Sequence, residues 1–275
     1  MTFTETQCSV YRVGRRLLVV TVLTGAALLA WAVPSQAQVP SPAKDPTGSW
    51  FQVTPYLWMA SIKGENTIGS TTIPIDVNFG DIWSNLKFAF SFHFEGGANH
   101  GLGGMDFAYI RLGRDDIEFE TPGPVQPTGD FRFTIIQTEF FGAYRGNPTG
   151  RTKWDLLGGT RINSQSQDLT TGPGNGIELV DISKTWADFF AGFRIVSNVG
   201  RKVFLAIRGD AGAGGSKFTG HGIFTFGYQI SQLVSLDLAF RYLYINYESG
   251  VPMSPDFYAY KADQYGLVLG AGFHF

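Results

Sequence analysis

On the segment Ser91-Phe92-His93-Phe94-Glu95 a hydroxyl, an imidazole and a carboxylate stand two residues apart, the groups that nucleophilic hydrolysis combines. Their spacing argues against that use. Residues two apart on a strand stand in a row about 7 Å apart, so a working Ser-His contact needs a bend or partners from a neighbouring strand. Ordinary polar positions on one strand face account for the same three residues, and the sequence predicts no catalytic site.

Other chemistry is sparse. His93, His100, His221 and His274 show no metal-ligand spacing. The Gly209-Asp210-Ala211-Gly212-Ala213-Gly214-Gly215 run lacks the Lys-Ser/Thr ending and following helix of a phosphate cradle, so close strand packing or a bend explains it better. The single cysteine, Cys8, precedes the apolar N-terminal run, so beyond that run there is neither disulfide nor thiol chemistry. No cofactor is expected.

The elements that carry these residues read as strands. Leu86, Phe88, Phe90, Phe92 and Phe94 alternate with Lys87, Ala89, Ser91, His93 and Glu95, a strict period of two that suits lipid on one side and a wet lumen on the other. In Ser49–Ile62, Phe51, Val53, Leu57 and Met59 oppose Gln52, Thr54, Tyr56 and Trp58, with Pro55 expected to interrupt the hydrogen-bond ladder. Further strands are expected over 102–112, 131–145, 152–163, 185–196, 203–213, 220–230, 234–247 and 258–275. The pattern predicts an all-β fold, a transmembrane antiparallel up-and-down β-barrel of about ten strands, with eight or twelve left open by a short connection at Gly214–Thr219 and by Ile73–Phe79, which could extend a hairpin. The connections alternate, long at 63–85, 113–130, 164–184 and 248–257 and short elsewhere, as expected for loops outside the cell and turns in the periplasm.

Both ends of the chain agree with export. Arg12, Arg15 and Arg16 precede an apolar run from Leu17 to Val33 that ends in Ser35-Gln36-Ala37, the pattern of a cleavable signal peptide over residues 1–37. Residues 38–48 read as a Pro-rich periplasmic tail, and 49–275 as the barrel domain. The net charge of −2 includes +3 and −1 from residues 1–37, which leaves −4 for the rest, a poor basis for nucleic-acid binding. The last strand ends on Phe273-His274-Phe275; Phe273 and Phe275 resemble the carboxy-terminal signature read by the barrel assembly machinery of outer-membrane proteins. The expected partners are therefore that machinery and outer-membrane lipids.

With the apolar face outward, Lys87, Glu95, Asp106, Glu139, Lys153, Asp155, Arg161, Asp188, Arg194, Arg208, Asp210, Asp237 and Arg241 point inward, nearly balanced in sign. Unpaired buried charge costs several kcal/mol, so about ten strands should hold these groups as an ion-pair network; a narrow water-filled pore is the competing arrangement. Trp50, Trp83, Tyr109, Tyr144, Trp154, Tyr228, Tyr242 and Tyr244 suit interfacial girdles. Trp58 and Trp186 fall on the lumen face and suit core packing.

Val53-Thr54-Pro55-Tyr56-Leu57-Trp58, Phe88 to Glu95, Leu156-Leu157-Gly158-Gly159-Thr160-Arg161, Arg208-Gly209-Asp210-Ala211-Gly212 and Phe240-Arg241-Tyr242 resemble the strand motifs of a large group of uncharacterised proteobacterial outer-membrane β-barrel proteins. The resemblance spans nearly the whole chain after Ala37. It implies fold and location, and carries no functional residues with it. The expected function is that of a narrow passive pore or structural membrane component; a barrel hydrolase using His93, or a receptor or adhesin working through the long loops, are the alternatives.

Overall fold

The computed structural model describes residues 48–118, 128–171 and 177–275; the expected signal peptide and all but the last residue of the leader lie outside them. Along the chain come β1 Ser49–Ile68, β2 Thr71–Val77, α1 Phe79–Ser84, β3 Leu86–Ala98, β4 Gly101–Glu118, β5 Thr128–Gly146 and β6 Thr152–Thr171. Then follow β7 Ile177–Asn198, β8 Val203–Gly214, β9 Phe218–Gln229, β10 Val234–Ser249 and β11 Tyr258–His274.

Each strand pairs antiparallel with its neighbours, and β11 pairs with β1, so the sheet closes on itself. Closure pairs the wall strands all round apart from one stretch between β1 and β3, above Pro55↔Phe92. Ten strands build the wall, because β2 pairs only with the upper part of β1, from Ile62↔Val77 to Ile68↔Thr71. The residues around Ile73–Phe79 thus extend a hairpin and add nothing to the circumference. The terminal residue completes the closure: Phe275 N donates to Phe51 O at 2.9 Å, Phe51 N donates to Phe275 O at 3.1 Å, and the two rings stack at 4.8 Å.

The outside of the wall is apolar. Phe90, Phe140, Leu156, Phe193, Phe224 and Leu238 are among many large side chains that face outward and exposed, with Phe189 as much as 74% exposed. Such a belt would be untenable in water and is what hydrocarbon requires. Among the described residues no helix is long and apolar enough to cross a membrane. At one end lie both described chain ends and the tight turns, including Ala98-Asn99-His100-Gly101, where Asn99 adopts φ +53°. Asparagine tolerates that left-handed conformation better than most residues.

At the other end the strands run on past the expected limits. Residues 164–184, expected as a loop, are largely strand: β6 and β7 stay paired from Thr152↔Ser197 to Thr171↔Ile177. Ser164–Thr185 and Ser166–Ser183 side-chain bonds line one face of β6 and Gln165 and Gln167, bonded to Tyr258, the other, so hydrophobic alternation fades while the backbone ladder continues. Against this tall section, β8 and β9 are only 12 residues each and turn tightly at Gly215–Lys217, leaving the rim low on that side.

Pro55 breaks the wall as expected, on both sides of β1. Pairing with β3 stops at Pro55↔Phe92, and the β11 register passes from Val53↔Phe273 to Tyr56↔Gly270.

Candidate functional site

Inward side chains fill the lumen in two storeys. Nearest the short turns, charged groups from facing strands meet across the interior. Arg194 on β7 reaches Glu95 on β3 at 2.5 and 2.9 Å and Asp155 on β6 at 2.7 Å. Arg145 makes a bidentate pair with the same Asp155 at 2.7 and 3.0 Å. A second group joins Arg161 to Glu139 at 2.8 Å and to Asp210 at 2.7 Å, with Arg208 bridging Glu139 at 2.5 Å and Asp210 at 2.8 Å. In a third, Arg241 donates to Asp106 at 3.0 Å, which also accepts from Tyr56 at 2.9 Å.

His93 ties the first and third groups together, Nδ1 lying 3.3 Å from Asp106 and Nε2 3.6 Å from Glu95. Both ring nitrogens therefore face carboxylates, and no hydrogen bond joins His93 to the buried Ser91 among the described residues. A serine needs a free imidazole nitrogen to lose its proton to, and this geometry offers none. His93 instead stacks on Phe141 at 5.7 Å. The absent side chain of Gly104 makes that possible, since a Cβ there would lie 2.5 Å from Phe141 Cζ.

The arginines also lie over aromatic faces: Arg161 and Arg208 over Phe190 at 4.9 and 5.4 Å, Arg241 over Trp58 at 4.6 Å and Arg145 over Trp50 at 5.7 Å. Carboxylates on one side and ring faces on another satisfy guanidinium groups that have left water.

Above this ionic storey the lumen is filled. Ala108, Gln137, Asn163, Trp186, Thr219, Leu243 and Gln264 point inward from seven strands, and none is more than 5% exposed. Gln137 donates to Gln264 at 3.0 Å and Tyr258 to Gln165 at 2.9 Å across the lumen, and Gln264 donates to the Tyr260 hydroxyl on its own strand at 3.2 Å. Trp186 stacks on Tyr247 at 4.0 Å, and Ile82 of α1 packs into the same cluster. Below this buried layer lies a cavity of about 220 Å³, lined by residues near the short-turn end, among them Trp50, His93, Lys153, Phe204, Asp237 and His274.

Not every charge placed inward by alternation joins the network. Lys87 is a correction: it sits exposed at the long-loop rim, 2.6 Å from Asp115, which Arg132 also contacts at 2.5 Å. The register shifts between Leu86 and Phe88, and an irregularity of that kind resets which way the next side chain points. Lys87 and Arg132 hold the Asp115 carboxyl below the usual carboxylate range. Asp188 is fully buried but accepts from Ser216 N at 2.7 Å, anchoring the β8–β9 turn, while Arg161 opposite it is taken by Glu139 and Asp210. Asp237 and Lys153 line the cavity, with no ion pair among the described residues.

Trp50 is a second correction, facing the cavity and not a membrane interface. Trp58 and Trp186 are buried inside. Phe273 and Phe275 are exposed on the outer face at the barrel seam. Sequence reasoning missed Arg145, Tyr56 and His221, the last with Nδ1 3.1 Å from Asp210. Arg145 has the same strand parity as Glu139 and could have been found by it. Among the described residues no group of His, Cys, Asp and Glu side chains is arranged to hold a metal ion.

No family model and no curated protein matches this chain. Among solved structures it is similar to the translocator domain of the autotransporter NalP from Neisseria meningitidis, at 13% identity over 84% of this chain and 90% of that one, TM-score 0.40. It is also similar to Ail, the attachment invasion locus protein of Yersinia pestis, at 15% identity over 83% and 99%, TM-score 0.33. Neisserial surface protein A is a third, at 12% identity over 82% and 98%, TM-score 0.32. The class of the protein follows from its own geometry: closed hydrogen bonding, an apolar belt outside and ion pairs inside make it a membrane-spanning antiparallel β-barrel.

Proposed function

We propose that this chain is a structural and binding component of a Gram-negative outer membrane, with its lumen sealed against free passage, both termini in the periplasm and its tall strands projecting from the cell. The observation that carries the reading is the buried layer from Ala108 to Gln264, to which seven strands contribute side chains shielded from water. A conducting pore needs a continuous wet path, and this layer interrupts it. The even number of wall strands puts both ends of the chain on one side, and the short turns there fit a periplasmic face.

A second reading draws on height. β6 and β7 run for 20 and 22 residues, about twice the 9–11 that a tilted strand needs to cross a bilayer. The excess stands above the membrane as a paired ribbon suited to recognition at the cell surface. The hydrolase alternative finds no support in the carboxylate-bound His93.

Efflux from proteoliposomes tests sealing. Vesicles holding the folded protein should retain a small sugar as well as empty vesicles do, and rapid release would overturn the reading.

A further inference from the structure

The break at Pro55 leaves a hollow in the wall itself. Above Pro55↔Phe92, β1 regains a partner on its β3 side only at Ile62↔Val77, so Tyr56–Ser61 and Leu86–Ser91 form no ladder with each other. Proline has no N–H to offer, which ends pairing at that point. The hollow is lined by Pro55, Leu57, Ala89, Phe90, Leu269 and Ala271. Leu57, Phe90 and Leu269 belong to the exposed apolar belt, so the hollow opens toward lipid.

Tyr56 and Gly270 line this hollow and also line the lumen cavity, so the two spaces share one thin partition. Gly270 contributes no side chain to it. The Tyr56 ring is held by its hydroxyl, which donates to Asp106 at 2.9 Å and accepts from Arg241 at 3.1 Å, bonds that a rotation could exchange for others. Beyond the partition, the same cavity holds Lys153, only 5% exposed and with no ion pair or hydrogen bond among the described residues. The nearby Asp155 is already held by Arg145 and Arg194, so the Lys153 ammonium is undercompensated, and a ligand that supplies an anion offsets that cost. Beside the paired charges of the ionic storey and Asp237, the cavity walls include Trp50, Val196 and Phe204, apolar surfaces suited to a hydrocarbon chain.

We infer that the hollow beside Pro55 and the lumen cavity form one lateral binding site for a single-chain amphiphilic carboxylate. The acyl chain enters from the lipid phase between β1 and β3, past Tyr56 and Gly270, and the carboxylate pairs with Lys153. The inference rests on the membrane placement proposed above, and it does not require the lumen seal.

The test uses the chain without residues 1–37, refolded into phospholipid nanodiscs and shown to be folded by heat-modifiable gel migration. Dodecanoate and dodecanol are titrated calorimetrically against filled and empty discs. Saturable dodecanoate binding is expected, at least tenfold tighter than dodecanol. Lys153→Met should remove that preference, Lys153→Arg should keep it, and Ala271→Trp, which fills the hollow, should abolish binding of both. Folded protein that binds neither probe above the empty-disc background, or binds dodecanoate equally with Lys153→Met, overturns the inference. Because folding and insertion are checked separately, that failure differs from a failure of the membrane placement.

Discussion

The side-chain amide of Gln137 on β5 donates to that of Gln264 on β11, 3.0 Å away on the opposite side of the lumen. Neighbouring strands along the wall do not bring these residues together; only a closed and narrow barrel does. Gln264 in turn donates to Tyr260, so one uncharged chain of hydrogen bonds braces the interior where the ionic storey ends. Replacing Gln264 by leucine should leave the buried Gln137 amide without its acceptor and cost about 1–3 kcal/mol. Urea unfolding of the refolded barrel, followed by tryptophan fluorescence, measures it.

Arg161 is the most enclosed cation among the described residues, 2% exposed and held by Glu139 and Asp210. Arg161→Met leaves Glu139 and Asp210 to share Arg208 as their one arginine, so the buried negative charge is undercompensated and the barrel should lose about 3–5 kcal/mol. Glu139→Gln in the same chain should recover part of that loss, so a double-mutant cycle should return a coupling energy well above the scatter of independent sites. Strictly additive effects would mean that the pair acts independently.

Gly104 tests the packing beneath His93. A methyl group there would meet Phe94 O at 2.4 Å and Phe141 Cζ at 2.5 Å, so Gly104→Ala should displace Phe141 and cost about 1–3 kcal/mol as overpacking. The ring could move, but the backbone oxygen belongs to the wall. Thermal denaturation of the refolded variant reads the effect.

At the rim, Lys87 and Arg132 hold the Asp115 carboxyl below its ordinary range. A carboxyl depressed in the folded state stabilises above its unfolded value, and that contribution is lost as pH falls through the depressed one. The group is exposed, so the effect should be small and should weaken with added salt. Asp115→Asn should flatten the acid side of the pH–stability profile at low ionic strength and leave the profile in high salt unchanged.

The membrane strands were legible because lipid on one face and charge on the other impose a period of two, as from Phe88 to Glu95. Legibility failed where that contrast fails. Gln165 and Gln167 lie on a strand with water or polar neighbours on both faces, so the ribbon they belong to reads as a loop. The inward set was predictable by parity except where the register slips, which is why Lys87 sits at the rim. Pairing is a property of three dimensions: strand alternation places Glu95 and Arg194 inside, but only the barrel's circumference sets them 2.5 Å apart. The buried uncharged layer was not legible because glutamine, asparagine and leucine carry no charge to mark them.

Conductance in a planar lipid bilayer tests the sealed lumen most directly. Protein shown to be folded and inserted should give no discrete current steps across a range of salt and voltage, because the layer around Gln137, Leu243 and Gln264 leaves no wet path. Steps that scale with bulk conductivity would contradict the account and make Arg145, Arg194 and Asp237 determinants of ion selectivity.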